Sequence, residues 1–371
     1  MAVAGCKPSA VQDDLVVIDV KANHPEKELV LQDFMKVEYV PLETTDEFVT
    51  QGDVLAVGDK YMVVKNWVND GDIFIFDRQT GKGIHKWNRR GQGNEEYTYI
   101  NGVVLDENRG EIFVNCSPTK KVLVYDLSGT FKRSFNLPEG VEALAIYNYD
   151  ADNLMLYDMS VYYDEGKPKS KPYYHLVISK QNGEMQKGIV IPFDVVKAPF
   201  VQKGDAVAMA AVCPIVAWDR DWLLVETSTD TVYSYRSADN GLHPVLAKKP
   251  TADPEVLLTM GVMTERYWFM QTIEKEFDFT TGRGFLLGGL VYDKHADEAY
   301  EPVVRNTDYE GQRVDLISHP LNSVGVAAFQ VLPADELVEA YENGKLEGGL
   351  KEIASTLGEE SNPVVMLMKY I

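Results

Sequence analysis

A chain of 371 residues with 36 Lys and Arg against 57 Asp and Glu carries a formal net charge of −21. Such a surface repels a phosphate backbone and excludes nucleic-acid binding driven by counterion release. Hydrophobic residues at 45% and aromatics at 11% supply a packed core and exclude an acidic disordered chain, and the best apolar stretch, Ala206 to Trp218, is broken by Pro214 and too short to span a membrane.

The chain begins Met1-Ala2-Val3-Ala4-Gly5-Cys6-Lys7, and the small residues before Cys6 have the form of the lipobox at which bacterial lipoproteins are cleaved and acylated. A charged start and an apolar segment would precede it in a complete signal. Residues 1–36 are expected to be a lipoprotein tether and linker, with Cys6 as the lipidation site. Cys116 and Cys213 lie in apolar, strand-like contexts and read as buried hydrophobes rather than a metal pair. Val37 to Leu42 (VEYVPL) is a strand candidate that belongs to none of the repeats that follow.

Short segments rich in β-branched and aromatic residues then recur: DIFIFD ending at Asp77, KVLVYD at Asp126, HLVISK at Lys180, TVYSYR at Arg236 and GGLVYD at Asp293. Each leads into a polar turn (DRQTG, DLSG, KQNG, RSADNG, DKHADE), several with the Gly chemistry that reverses a hairpin. The end positions are 49, 54, 56 and 57 residues apart. One period holds four strand candidates, Asp53 to Val57, Tyr61 to Asn66, Asp72 to Asp77 and Gly83 to Trp87; the next repeats them at Gly102 to Asp106, Glu111 to Asn115, Val122 to Asp126 and Phe131 to Phe135. Four antiparallel strands in about 50 residues is the signature of a β-propeller blade.

Ala334 to Leu357 is the exception, because Leu337, Ala340 and Tyr341, then Leu350, Ile353 and Leu357, follow helical spacing with a break at Asn343-Gly344. An apolar strand follows Asn362-Pro363. Taking its Lys369 as a sixth marker gives a sixth blade that carries the helical insertion at 334–357. The chain stops after this third strand, so Val37 to Leu42 is expected to supply the outermost strand and close the ring. The expected fold is an all-β, six-bladed β-propeller over residues 37–371.

These residues resemble a family: six-bladed β-propeller lipoproteins, NHL-like in form, from nutrient-uptake gene clusters of anaerobic gut bacteria. The resemblance rests on Val40-Pro41-Leu42-Glu43, Phe74-Ile75-Phe76-Asp77 with Gly81-Lys82, Arg90-Gly91-Gln92-Gly93-Asn94-Glu95-Glu96-Tyr97, and the Leu350-Lys351 helix leading to Asn362-Pro363-Val364. It runs over nearly the whole chain, with Asn94 where the family usually places Pro. It implies a cell-envelope location and little about activity.

Alternating strands bring the loops between second and third strands, and those between blades, to one face. The long insertions Ser160 to Pro172, Glu274 to Gly284 and Pro333 to Ser361 all fall there, with the loop Arg89 to Thr98. Arg89 and Arg90 could clamp an anionic group, Glu96 lies beside them, and Tyr97 offers a stacking surface with a polar tip. The same residues could instead turn the chain between blades, with Glu96 capping amides and Tyr97 packed at the channel mouth. Trp67, Tyr157 and Tyr163 are further stacking candidates, and Asp158 and Arg283 complete the candidate ligand-binding set.

The histidines (His24, His85, His175, His243, His295, His319) show no paired ligand spacing, and three of them fall on outer strands or the turns leading to them, away from the channel. Asp150, Asp152, Asp158 and Asp164 could hold calcium, or be solvated acidic loops. No catalytic residue and no other cofactor is expected. The function expected is a non-catalytic, monomeric cell-envelope lipoprotein, in the periplasm or at the cell surface and anchored to the outer membrane by lipid alone, that binds a glycan, a peptide or a partner protein of an envelope complex. The alternatives are a propeller lyase or lactonase with a metal in the central channel, and a scaffold within an uptake complex.

Overall fold

The computed structural model describes residues 15–218, 221–236, 239–317, 321 and 325–371. Three strands come first, β1 (Val16–Ile18), β2 (Glu26–Val30) and β3 (Met35–Pro41). Blade one follows as β4 (Asp53–Val57), β5 (Tyr61–Lys65), β6 (Asp72–Asp77) and β7 (Gly83–Asn88), and blade two as β8 (Gly102–Asp106), β9 (Glu111–Cys116), β10 (Lys121–Asp126) and β11 (Phe131–Asn136). Blade three is β12 (Ile146–Asn148), β13 (Asn153–Tyr157), β14 (His175–Ser179) and β15 (Met185–Ile189); a separate hairpin, β16 (Phe200–Lys203) and β17 (Ala206–Met209), precedes blade four. Blade four is β18 (Ile215–Trp218), β19 (Asp221–Leu224), β20 (Thr231–Arg236) and β21 (Gly241–Lys248), and blade five is β22 (Val256–Met263), β23 (Tyr267–Glu274), β24 (Leu287–Asp293) and β25 (Glu298–Arg305). The five marker segments are the third strands of their blades.

Blade six combines β26 (Val326–Leu332) and β27 (Val364–Tyr370) with β3 from the other end of the chain, in the order β26-β27-β3. Val364 lies opposite Pro41 and Tyr370 opposite Met35. At the inner edge, among the described residues, contacts other than regular pairing reach β26: Leu321 N donates to Ala327 O at 2.9 Å and Gln330 Nε2 to Arg313 O at 3.3 Å. Thus β27 is a third strand and β3 the outermost one, as the closure argument requires. The helical insertion is split at the expected break into α1 (Ala334–Glu342) and α2 (Gly348–Ala354). Among the described residues no helix is long and apolar enough to cross a membrane.

Middle strands bury both faces, because each blade packs against two neighbours; β9 is buried at every position. Six main apolar clusters result, one in each space between blades. Ile75 and Tyr125 share the space between blades one and two, and Val365 and Phe76 the space between six and one, so the ring is closed by packing as well as by pairing. The turn from third to fourth strand meets the preceding blade in a recurring way. A Cβ on Gly81 would lie 1.9 Å from Pro41 O, and one on Gly183 2.4 Å from Asn136 O; both have positive φ, so only glycine fits the turn and the contact together.

Residues 15–34 correct the expectation of a linker. β1 adds to blade four as a fifth, parallel strand with Val16 opposite Leu246, and β2 does the same on blade five with Glu26 opposite Glu301. Buried Asp293 rivets β2 in place, accepting from Lys27 Nζ at 2.7 Å and Arg266 at 2.9 Å. Despite its burial, these two cations hold its carboxyl well below the usual range. The polar, Lys- and Glu-rich sequence of β2 hides this role, because an outer parallel strand needs backbone pairing more than an apolar face. Cys6 lies outside the described residues.

Candidate functional site

Strand alternation defines two faces. One carries the loops between second and third strands and the connections between blades; the other carries short turns such as Gly58–Lys60 and Ser128–Thr130. Most exposed large apolar side chains lie on the first face, although Ile84, Met185 and Ile371 are exposed at the opposite ends of their strands. Val49, Trp67, Tyr99, Leu144, Tyr163 and Met209 all lie on the loop-bearing face, and the short turns of the opposite face contribute none among the described residues.

On the loop-bearing face a cavity of about 880 Å³ opens between blades two and five. Leu144 comes from the connection between blades two and three, Met159, Tyr162 and Tyr163 from the blade-three insertion, and Phe200, Gln202, Val207 and Met209 from the hairpin; Glu255 and Lys275 come from blade five and its approach. The insertion is held by Asp158, which is 1% exposed. Its carboxylate accepts from Ser160 N and Glu142 N at 3.0 Å each and from Lys171 Nζ at 2.9 Å, so one side chain ties together two walls of the cavity. Tyr174 adds to this, its hydroxyl accepting from Ser170 N and Lys171 N.

Most charged groups lining the cavity are matched, by one another or by lysines just outside it, and Lys167 alone stays largely exposed, 4.0 Å from Asp164. Glu165 pairs with Lys275 and also accepts from Ala198 N, Glu255 pairs with Lys197 at 2.9 Å, and Glu142 takes the Tyr163 hydroxyl at 2.6 Å and Lys120 at 3.0 Å. What the cavity offers a ligand is therefore chiefly apolar surface. Beneath it lies a polar cluster. Tyr162, 4% exposed, lies against Tyr157, whose hydroxyl donates to Glu226 at 2.9 Å; Ser228 N donates to the other carboxylate oxygen at 3.0 Å. Burial raises the Glu226 carboxyl above its usual range and pushes the His175 imidazole, 4.8 Å from the Tyr157 ring, down to about 4.

Several expected site residues are placed differently. Tyr97 is fully buried; its hydroxyl donates to Gly71 O at 2.6 Å and accepts from Arg89 N at 3.0 Å, and its ring packs with Trp87 and Tyr125. Glu96 folds back to accept from Gly93 N at 2.8 Å, and Arg89 Nε donates to Gly129 O at 2.9 Å on blade two. The loop is closed on itself, and of this group only Arg90 has an exposed side chain not drawn into a contact of this kind. Tyr157 and Asp158 are buried supports, not ligand contacts. Trp67 is exposed on the loop-bearing face but outside the cavity, and Arg283 lines a neighbouring depression of about 460 Å³ with Phe277 and Leu286.

The four aspartates do not converge on a calcium site. Asp150 and Asp152 sit in a short turn, Asp150 bonding Asn153 and Asp152 pairing with Arg109, whereas Asp158 and Asp164 are on the opposite face. Among the described residues no three His, Cys, Asp or Glu gather where they could hold a metal ion; His319 lies outside them. Sequence reasoning missed Leu144, Met159 and Glu255 among the cavity residues, and above all the hairpin. Its signal was present: FVQK and AVAM flank Gly204-Asp205, in a connection from Ile189 to Ile215 longer than the preceding links between blades.

A family model described as a 6-bladed beta-propeller matches residues 7–318. Among solved structures, the chain is similar to a Bacteroides fragilis protein inferred to be exported, at 13% identity and a TM-score of 0.60, covering 96% of this chain and 99% of that one. It is also similar to a duf4221 family member from Bacteroides vulgatus, at 13% identity and a TM-score of 0.48, covering 91% and 97%. At such identities the likeness concerns the fold. No curated protein matches the chain.

Proposed function

The chain belongs to that six-bladed β-propeller family, and we propose that it is a non-catalytic binding module of the cell envelope whose loop-bearing face captures a partner. One observation carries this reading: the exposed apolar side chains Leu144, Tyr163, Val207 and Met209 gather around one cavity on that face, most of whose charged groups are already paired. Contiguous exposed apolar surface costs solubility and marks a contact surface. Export, acylation at Cys6 and service in a nutrient-uptake complex belong to the same proposal, supported by the Ala-Gly-Cys sequence and by the exported neighbour of like fold. A partner polypeptide suits the site better than a glycan, because the one well-exposed ring at the cavity, Tyr163, has its hydroxyl engaged by Glu142.

A thermal-shift screen against peptides and glycans tests this reading, since a ligand of the native state raises Tm by mass action. The shift is expected to vanish in the double variant Leu144→Glu with Met209→Glu. A ligand that shifts wild type and variant equally would place binding elsewhere. For the anchor, Cys6→Ala in cells should move the protein out of the membrane fraction; unchanged fractionation refutes it.

A further inference from the structure

The hairpin at the cavity forms a two-stranded sheet that no other strand joins among the described residues. Phe200 lies opposite Met209 and Lys203 opposite Ala206, and Ala210 N donates to Pro199 O at 2.7 Å. Antiparallel pairs alternate between bonded and non-bonded. Counting from Pro199 and Ala210, the pairs of Phe200 with Met209 and of Gln202 with Val207 are non-bonded. The N–H and C=O groups of Val207 and Met209 therefore point outward from the free edge of β17. The Val207 and Met209 side chains line the cavity and are 54% and 50% exposed. One edge thus presents both an unpaired row of backbone groups and the apolar side chains beside it. An isolated hairpin is marginal in water, yet this one is rooted at its base, where Ala210 packs with Leu257 and Ile273 of blade five.

We propose that an extended polypeptide segment of a partner adds to β17 as a third strand and directs alternate apolar side chains into the cavity. This rests on the reading of the loop-bearing face as a binding surface and specifies what it holds. Backbone pairing supplies affinity in such an addition, and the pockets for alternate side chains supply selectivity. With the lining carboxylates Glu142, Glu165 and Glu255 outnumbering its two lysines and the chain at −21, an acidic segment is repelled and an uncharged or basic one favoured.

The test begins with selection from a phage-displayed library of random peptides on the whole chain, followed by synthesis of the best binder. Enriched sequences should alternate apolar residues and be poor in Asp and Glu. N-methylation of alternate amides in the synthetic peptide should weaken binding by about tenfold or more, as loss of edge pairing requires. Val207→Pro, which removes an outward N–H that the hairpin does not use, should do the same, whereas Val207→Thr should stay within about threefold. An unchanged thermal melt for Val207→Pro shows that the hairpin survives. Peptides that bind equally well when N-methylated, or glycans that bind where peptides do not, overturn strand addition and leave the binding face standing. If no peptide is enriched and nothing shifts Tm, both readings fall.

Discussion

Two tyrosine-bearing loops on the same face show how little residue type says about role. The loop ending at Tyr97 has two arginines, two glycines and two glutamates, and looks built for a ligand; nearly all of its functional groups are spent on the loop itself or on blades one and two. The blade-three insertion is less conspicuous in sequence, yet it leaves Tyr163 at 71% exposure on the rim of the cavity. The difference lies in where the hydroxyl finds its partner. Tyr97 satisfies buried backbone groups, so its ring must go inside; Tyr163 bonds the partly exposed Glu142, so its ring stays out.

The largest expected effect sets the scale for both loops. Removing residues 1–45 takes away β3 and with it the outer strand of blade six, so cooperative unfolding should be lost in denaturant titrations. Removing residues 1–30 should give a smaller but measurable fall in midpoint, since β1 and β2 are paired strands; no fall would return that segment to the status of a linker. Within the first loop, Tyr97→Ala should cost about 3–5 kcal/mol, the range for deleting a large aromatic from a core. A value near zero in the same titration would reverse the contrast between the loops.

Acid should separate them further. His175, under the second loop, has a folded pKa of about 4, below its ordinary 6.5. The unfolded chain binds the extra proton between those values, so stability present above pH 6.5 is lost as pH falls toward 4, by about 3 kcal/mol from this group. Glu226, raised by burial, acts in the opposite sense above its unfolded pKa, so the clean measurement is a difference. The wild type should show a steeper loss than His175→Gln across that window. Parallel slopes would mean that the imidazole titrates normally. The smallest effect is expected for Tyr163→Ala, about 0.5 kcal/mol or less in stability, while ligand-induced shifts in Tm should fall.

Much of the architecture was legible because blade strands are short, β-rich and separated by turns whose chemistry repeats. Asp77, Asp126 and Asp293 each close a third strand and open the turn that leads to the fourth. The break at Asn343-Gly344 and the closing strand could likewise be read from spacing. The outer strands β1 and β2 could not, since their pairing partners are more than 200 residues away and their own pattern is weak. The candidate site was legible as a face but not as residues: the long insertions lie on the side where the cavity opens, while Tyr97, Tyr157 and Asp158 are buried supports.

By itself, then, the sequence determined the period, the number of blades and the side on which the loops gather, because these follow from local turn chemistry and strand alternation. Only the tertiary structure decided which polar groups are consumed within the protein and which remain for a partner. Asp158 meets Glu142 N and Lys171, and Tyr97 meets Gly71 O, across separations of 13 to 26 residues in the chain. No local pattern encodes such meetings; they arise when blades pack and each buried donor or acceptor must find its match.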